Sequence, residues 1–225
     1  MNILIVAAHP DDEVLGCGGT MARYAEDHEV HVLILGEGLT SRLDDRERTE
    51  VEPLEQLRAD GTKASQLLGV SSIEFGGLPD NQFDQVPLLQ IIKILESKIR
   101  TVQPGAIYTH HSGDLNVDHG LTCRAVLTAT RPGIGHPVQD VFSCEIRSST
   151  EWAFQQVTPI FRPNVFVDIS ATIGTKIEAM ECYVTESRPS PHPRSPESLR
   201  ATAKYWGSVI GREYAEAFEL IRSLR

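Results

Sequence analysis

The chain has 225 residues, 40% of them apolar, which is enough for one domain with its own core. A formal charge of -10, from 31 acidic against 21 basic residues, argues against a nucleic-acid partner, because phosphate backbones are bound by clustered Lys and Arg. Four cysteines without a CxxC pair suggest neither a thiolate zinc site nor a disulfide framework, and the opening MNILIVAAHPDDE lacks both the basic flank of a signal peptide and the length of a membrane span. A cytoplasmic protein with a small-molecule partner and no membrane insertion is expected.

Asn2 to Ala8 is apolar on both faces and rich in Ile and Val, the pattern of a strand buried in a parallel sheet. Asp11 to His28 reads as a helix whose first turn carries carboxylates, where the macrodipole favours them. Glu29 to Leu35 is a second strand, and Val51 to Leu68 a helix closed by Gly69. A strand at Ser71 to Phe75, a helix at Val86 to Val102, a strand at Ala106 to Thr109 and a helix at His119 to Thr130 follow. Beyond Pro132 the pattern loosens, with strands near Val141 to Ile146 and Val165 to Ile169 and a helix from Thr172 to Tyr183. The stretch RPSPHPRSPES, holding Pro189, Pro191, Pro193 and Pro196, cannot be helical before Ser195, whose hydroxyl is placed to cap a helix to Trp206. A last helix is expected over Arg212 to Arg222.

This order predicts an α/β, Rossmann-like, three-layer α/β/α fold with a mostly parallel sheet of core order 3-2-1-4-5. It forms one domain over 1–225, with 184–225 as a loop and a C-terminal helical extension.

The segment AAHPDDE falls where a buried strand ends and a helix begins, so it concentrates His9, Asp11 and Asp12 at a strand end. In doubly wound sheets ligands bind beyond the carboxyl ends of the strands, at the point where strand order reverses. The fourth strand, AIYT, ends in His110 and His111 and leads into GDLNVDHG, so two acid and histidine clusters are expected to converge there. A lone histidine in an α/β protein is usually structural, but the joint pattern favours a metal. His9, Asp12 and His119 are then the ligands, and two imidazoles with one carboxylate match catalytic rather than structural zinc. Asp11 is left as a base, and Asp118 as a residue that orients a ligand from behind.

AAHPDDEVLGCGGT closely resembles the opening motif of the LmbE-like, PIG-L deacetylase family, and NVDH resembles its second motif. LPDNQFD, PHPRS and YAEAF extend the likeness over most of the chain. The resemblance implies one Zn2+ per chain on His9, Asp12 and His119, Asp11 as base, and hydrolysis of the N-acetyl group of an amino sugar or its conjugate to acetate and a free amine. The pattern departs from the family at Asn116, where many members carry a histidine linked to the tetrahedral intermediate. His192 in PHPRS, then His111, then Asn116 itself are the residues considered for that role.

Arg42, Asn81 and Asp84 lie on loops expected to open toward the same crevice and are taken as sugar partners. Arg188 and Arg194 flank His192, and a guanidinium suits a phosphate, so a nucleotide-linked sugar is one substrate considered. A homo-oligomer is expected. The rivals are a zinc amidase acting on a non-sugar or thiol conjugate, a lyase or isomerase on the same metal site, a non-catalytic binding module, and a dinucleotide-binding oxidoreductase. For the last, Gly16, Gly18 and Gly19 do not form GxGxxG, and the carboxylates at that helix start would repel a pyrophosphate.

Overall fold

Successive side chains on a strand point to opposite faces, so a strand that is apolar throughout needs a helical layer on each side. In the computed structural model, which describes residues 1–42, 51–133 and 135–225, this is how the layers form. Strand β1 (Asn2–Ala7) lies between β2 (Glu29–Gly36) and β4 (Ala106–His110), and β3 (Ser72–Leu78) and β5 (Asp140–Cys144) flank these, all parallel. Ile3, Ile5 and Ala7 of β1, with Val30, Val32 and Ile34 of β2, face α1 (Asp12–Tyr24), α2 (Val51–Leu67), α5 (Ile173–Cys182) and α6 (Pro196–Val209). Leu4 and Val6, with Leu33 and Leu35, face α3 (Leu88–Val102) and α4 (Val117–Ala129). Each such buried Val, Leu or Ile side chain contributes about 1.5–3 kcal/mol.

The sheet order is β3-β2-β1-β4-β5-β7-β6, so the expected 3-2-1-4-5 core is present and the order reverses between β1 and β4. The end of the chain differs from expectation. Arg212 to Arg222 was expected to be helical, but Ala215–Ser223 forms strand β7, antiparallel to β5 and to β6 (Val165–Asp168). Its Ala, Glu, Leu and Arg are good helix formers. The ladders offered on both sides by β5 and β6, and the burial of Phe218 against Tyr108, override that preference. The C-terminal extension is therefore one helix, α6, capped by Ser195 Oγ accepting from Ser198 N–H at 3.1 Å, followed by a strand that completes the sheet.

Gly16, Gly18 and Gly19 serve close packing within α1. A Cβ on Gly16 would lie 2.5 Å from Cys144 Sγ, and one on Gly19 2.7 Å from Ile169 Cδ1. They face the sheet and α5, with no phosphate loop among them. Among the described residues no helix is long and apolar enough to cross a membrane.

Candidate metal centre and active site

The loops at the carboxyl ends of the strands deliver polar groups to one cleft of about 130 Å³ at the β1/β4 switch point. His9, Pro10, Asp11 and Asp12 come from the β1–α1 junction, Asn116 and His119 from the start of α4, and Asp80 and Asn81 from the end of β3. Ser148 and Ser149 follow β5, and Glu186 and Arg194 follow α5.

Nδ1 of His9 lies 3.3 Å, and Nε2 of His119 3.2 Å, from the same Oδ2 of Asp12. On the far side of each ring stands another carboxylate. Asp118 Oδ2 is 3.0 Å from His9 Nε2, and Asp114 Oδ1 is 3.1 Å from His119 Nδ1. When each outer nitrogen carries its proton toward that carboxylate, the inner nitrogens present lone pairs to Asp12. The two inner lone pairs then face Asp12 Oδ2, which also accepts the His9 backbone N–H at 2.9 Å, and a cation suits the space between them. Both ring nitrogens of His119 are wholly buried, and neither makes a well-aligned hydrogen bond among the described residues, although Asp12 and Asp114 stand 3.2 and 3.1 Å away. Ligand atoms about 2.0–2.1 Å from zinc in a tetrahedron lie roughly 3.3 Å from one another, which the observed separations match. His9, Asp12 and His119 therefore fit a metal ion.

The field around these rings is negative. Burial lowers His9, but hydrogen bonds to Asp118 and Asp12 outweigh it and lift the ring to about 10. For His119 burial is likewise outweighed, by Asp12 and Asp114, and the ring rises to about 9. Burial would raise Asp12, yet the imidazoles of His119 and His9 hold it well below the usual carboxylate range. A divalent cation replaces protons held in this way.

Asp11 sits at the N-cap of α1 with φ of 102°, in left-handed territory that a residue with a Cβ enters only when its surroundings enforce it. Glu13 Oε2 accepts the Asp11 N–H at 3.1 Å, and Glu13 Oε1 accepts the Tyr183 hydroxyl at 2.5 Å. Burial pushes Asp11 above the ordinary carboxylate range, with Arg194 opposing and Asp12, Glu186 and Glu13 adding to the rise. Burial also pushes Glu13 up to about 7, against the Tyr183 hydrogen bond.

A family model described as PIG-L, GlcNAc-PI de-N-acetylase, matches residues 4–130, more than half of the chain. The chain belongs to the PIG-L family. A diacetylchitobiose deacetylase of Thermococcus kodakarensis is 24% identical over 230 residues, which cover 98% of this chain and 83% of that protein. A conserved protein of Thermus thermophilus shares the fold with a TM-score of 0.76 and 27% identity, over 99% of this chain and 96% of its own. The 4-carboxy-2-hydroxymuconate hydratase of Pseudomonas putida has the same TM-score, 0.76, at 24% identity over 100% and 97% of the two chains. That last likeness shows the fold alone.

Of the residues singled out in the sequence, this PIG-L member brings His9, Asp11, Asp12, Asn81, Asn116, His119 and Arg194 to the cleft wall. Asp118 stands behind His9 and also accepts the Phe83 N–H at 2.9 Å. Asn116 caps α4 through Oδ1, accepting from Asp118 N–H, and its Nδ2 donates to Asn81 Oδ1 at 2.9 Å.

Two histidines expected there do not line the cleft. His111 faces the opposite side of its loop, with Nε2 2.7 Å from the Pro159 carbonyl and Nδ1 3.2 Å from Glu219. His192 turns its Nδ1 to the Arg194 N–H and stands edge-on to Trp152. Asp84 is exposed and bonded to its neighbour Gln85. Arg194 lines the cleft with its Nη1 already shared between Asp11 and Glu186. Tyr183 is a fully buried core residue, and Arg188 is exposed. Arg42 ends a short 3-10 turn, and its side chain lies outside the described residues.

Sequence reasoning missed Asp114, Glu186, Ser148, Ser149 and the part played by His110. Asp114 also accepts from Ser149 Oγ, from Thr150 Oγ1 at 2.5 Å and from Asn116 N–H at 2.9 Å. These bonds, with that to His119, hold it down at about 2 despite burial. His110 accepts the Ala8 N–H at 2.7 Å and stacks on His119 at 4.0 Å. Burial, with His119 beside it, lowers His110 to about 3, so it serves as a neutral wall.

Proposed function

We propose that the protein is a zinc-dependent N-deacetylase that removes the acetyl group from an amino sugar or sugar conjugate, with one ion held by His9, Asp12 and His119. The observation that carries this reading is the convergence of His9 Nδ1, Asp12 Oδ2 and His119 Nε2, with Asp11 beside them on the cleft wall. Membership of the PIG-L family and the deacetylase relative from Thermococcus kodakarensis supply the reaction and the sugar.

Zinc in such a site lowers the pKa of a bound water to about 7 and polarises the amide carbonyl. Asp118 and Asp114 keep the two imidazoles in the tautomer that faces inward. Asp11 takes the proton of the attacking water and returns it to the leaving amine, a role its raised affinity for protons suits. Asn116 remains the donor for the developing oxyanion, because it alone of the three residues considered lines the cleft and Nδ2 has a second hydrogen to give. Such a donor is typically worth about 3–4 kcal/mol. Asn81, Ser41 and Ser148 face the same space and suit sugar hydroxyls. Four buried cysteines that form no disulfide suit a reducing, cytoplasmic setting, and assembly into a homo-oligomer is part of the same proposal.

The test is amine release from a panel of N-acetylated sugars, free, phosphorylated and nucleotide-linked, with and without chelator. Amine release, rather than substrate loss, is the readout because the same fold carries a hydratase in Pseudomonas putida. Release that stops with chelator and returns with zinc is expected. No release from any member of the panel, or release indifferent to chelator, refutes the reading.

A further inference from the structure

Aspartate at a helix N-cap ordinarily spends its carboxylate on the N–H groups of the first turn. Asp11 does not: it makes no side-chain cap bond, although it occupies the N-cap of α1. Its Oδ2 is instead 2.6 Å from Arg194 Nη1, across 183 residues of chain. The guanidinium is aimed by three further contacts. Its Nε donates to Ser148 Oγ at 2.7 Å, its Nη1 also meets Glu186 Oε2 at 3.0 Å, and the Arg194 backbone N–H donates to His192 Nδ1 at 3.1 Å. The next residue, Ser195, caps α6, so Arg194 stands at the junction of a proline-stiffened loop with a helix. Arg194 and Asp11 both line the cleft.

We infer that Arg194 is a positioning residue: it pulls the Asp11 carboxylate off the α1 cap and fixes Oδ2, leaving Oδ1 to take the proton in the cleft. The inference rests on Asp11 being the base. It assigns the PHPRS loop a task different from the oxyanion or phosphate contacts expected of it. The loop orients the base through a planar fork that a lysine cannot reproduce. Ser148 and Glu186 serve by fixing the plane of that fork.

The experiment compares wild type, Arg194→Met, Arg194→Lys, Arg194→Ala and Asp11→Asn, each loaded with zinc. Crystal structures are the readout that needs no substrate. In Arg194→Met the Asp11 carboxylate is expected to swing onto the first-turn N–H groups of α1, as an ordinary N-cap does. An unmoved Asp11 overturns the proposal. Kinetics on N,N′-diacetylchitobiose, or on whichever panel sugar is turned over, supply the second readout.

Misplacing a reacting group by about 1 Å costs on the order of 10²-fold. Arg194→Met is expected to lose about that much in kcat, with KM changed less than about threefold and zinc content unchanged. Arg194→Lys should recover part of the loss, and guanidinium ion added to Arg194→Ala should restore turnover, which a purely structural role would not allow. A KM that rises at constant kcat makes Arg194 a substrate-binding residue and overturns the proposal. Asp11→Asn at wild-type kcat removes the base assignment itself. An inactive Asp11→Asn beside an unimpaired Arg194→Met removes the positioning role alone.

Discussion

Asp114 touches no substrate in the proposed mechanism, yet it should govern how tightly the metal is held. Its Oδ1 stands 3.1 Å from His119 Nδ1, so it sets the tautomer and aim of that ligand. Asp114→Ala removes this partner and leaves His119 Nδ1, Ser149 and Thr150 without their buried acceptor. Losing such a carboxylate typically weakens metal binding 10–100-fold, about 1.4–2.7 kcal/mol. Asp114→Asn keeps an acceptor oxygen of the same shape but gives up its charge. A hydrogen bond to a charged group is worth about 1.5–3 kcal/mol, against about 0.5–1.5 for a neutral one. The asparagine variant should therefore lose roughly tenfold, placing it between wild type and alanine.

Zinc affinity is measured by competition with a chromogenic chelator, and the melting temperature of each metal-free protein separates a folding defect from a binding defect. The graded order wild type, Asn, Ala is the expected result. Both variants binding zinc within about twofold of wild type, while folded, would show that the inner lone pair of His119 does not depend on Asp114.

Three further substitutions test other parts of the structure. Tyr183→Phe takes the hydroxyl partner from the buried Glu13 carboxylate that holds the Asp11 N–H, and should cost about 1–3 kcal/mol in chemical denaturation and lower kcat while sparing zinc content; unchanged stability would mean that the Tyr183–Glu13 bond contributes nothing. His111→Ala and His192→Ala should each keep kcat within about threefold of wild type, since neither ring lines the cleft; a loss of 10²-fold or more in either would return that histidine to the oxyanion role. Lys176→Met breaks a buried pair in which Nζ is 2.6 Å from Glu216 Oε1, leaving that carboxylate with the N–H groups of Gly19 and Thr20 as its partners among the described residues. The expected cost is about 3–5 kcal/mol, or roughly 10 °C in melting temperature, with turnover intact in the cold, and a shift under about 2 °C would contradict it.

What the sequence shows depends on how local the cause is. His9 and Asp12 lie immediately after an apolar strand, and His119 lies in the first turn of α4, so residue order alone brought them to the switch point. Asp114 left a signal too, five residues ahead of His119 in GDLNVDHG. It was passed over because a loop aspartate is so often only a turn residue. Glu186, Ser148 and the aim of Arg194 leave no local mark, since the contacts of Arg194 with Asp11, Ser148 and Glu186 join segments far apart in the chain. His111 and His192 drew attention as histidines near the right place, but side-chain direction is set by partners such as the Pro159 carbonyl and Trp152, which no motif contains. Strand β7 was misread for a similar reason, because its residues favour a helix until two neighbouring strands offer it hydrogen bonds.

The carboxylates in the cleft also explain why the backbone at Asp11 is strained. Asp11, Asp12, Asp80, Asp114, Asp118 and Glu186 crowd around two imidazoles and one guanidinium. Asp12, Asp114 and Asp118 are committed to the imidazoles, and Asp80 is also bonded to Ser41. In the proposed mechanism the base must differ from these by staying uncommitted on one oxygen while remaining within reach of the ion. An ordinary N-cap aspartate would fail, because the helix amides would take its carboxylate. Turning the backbone to a φ of 102° directs the side chain away from them, and Glu13 behind and Arg194 in front hold it there. Left-handed strain at a residue with a Cβ costs on the order of 1–3 kcal/mol, comparable to what each of those two contacts can offset. Removing either should therefore let Asp11 relax toward the helix, and the activity should fall without any change in His9, Asp12 and His119.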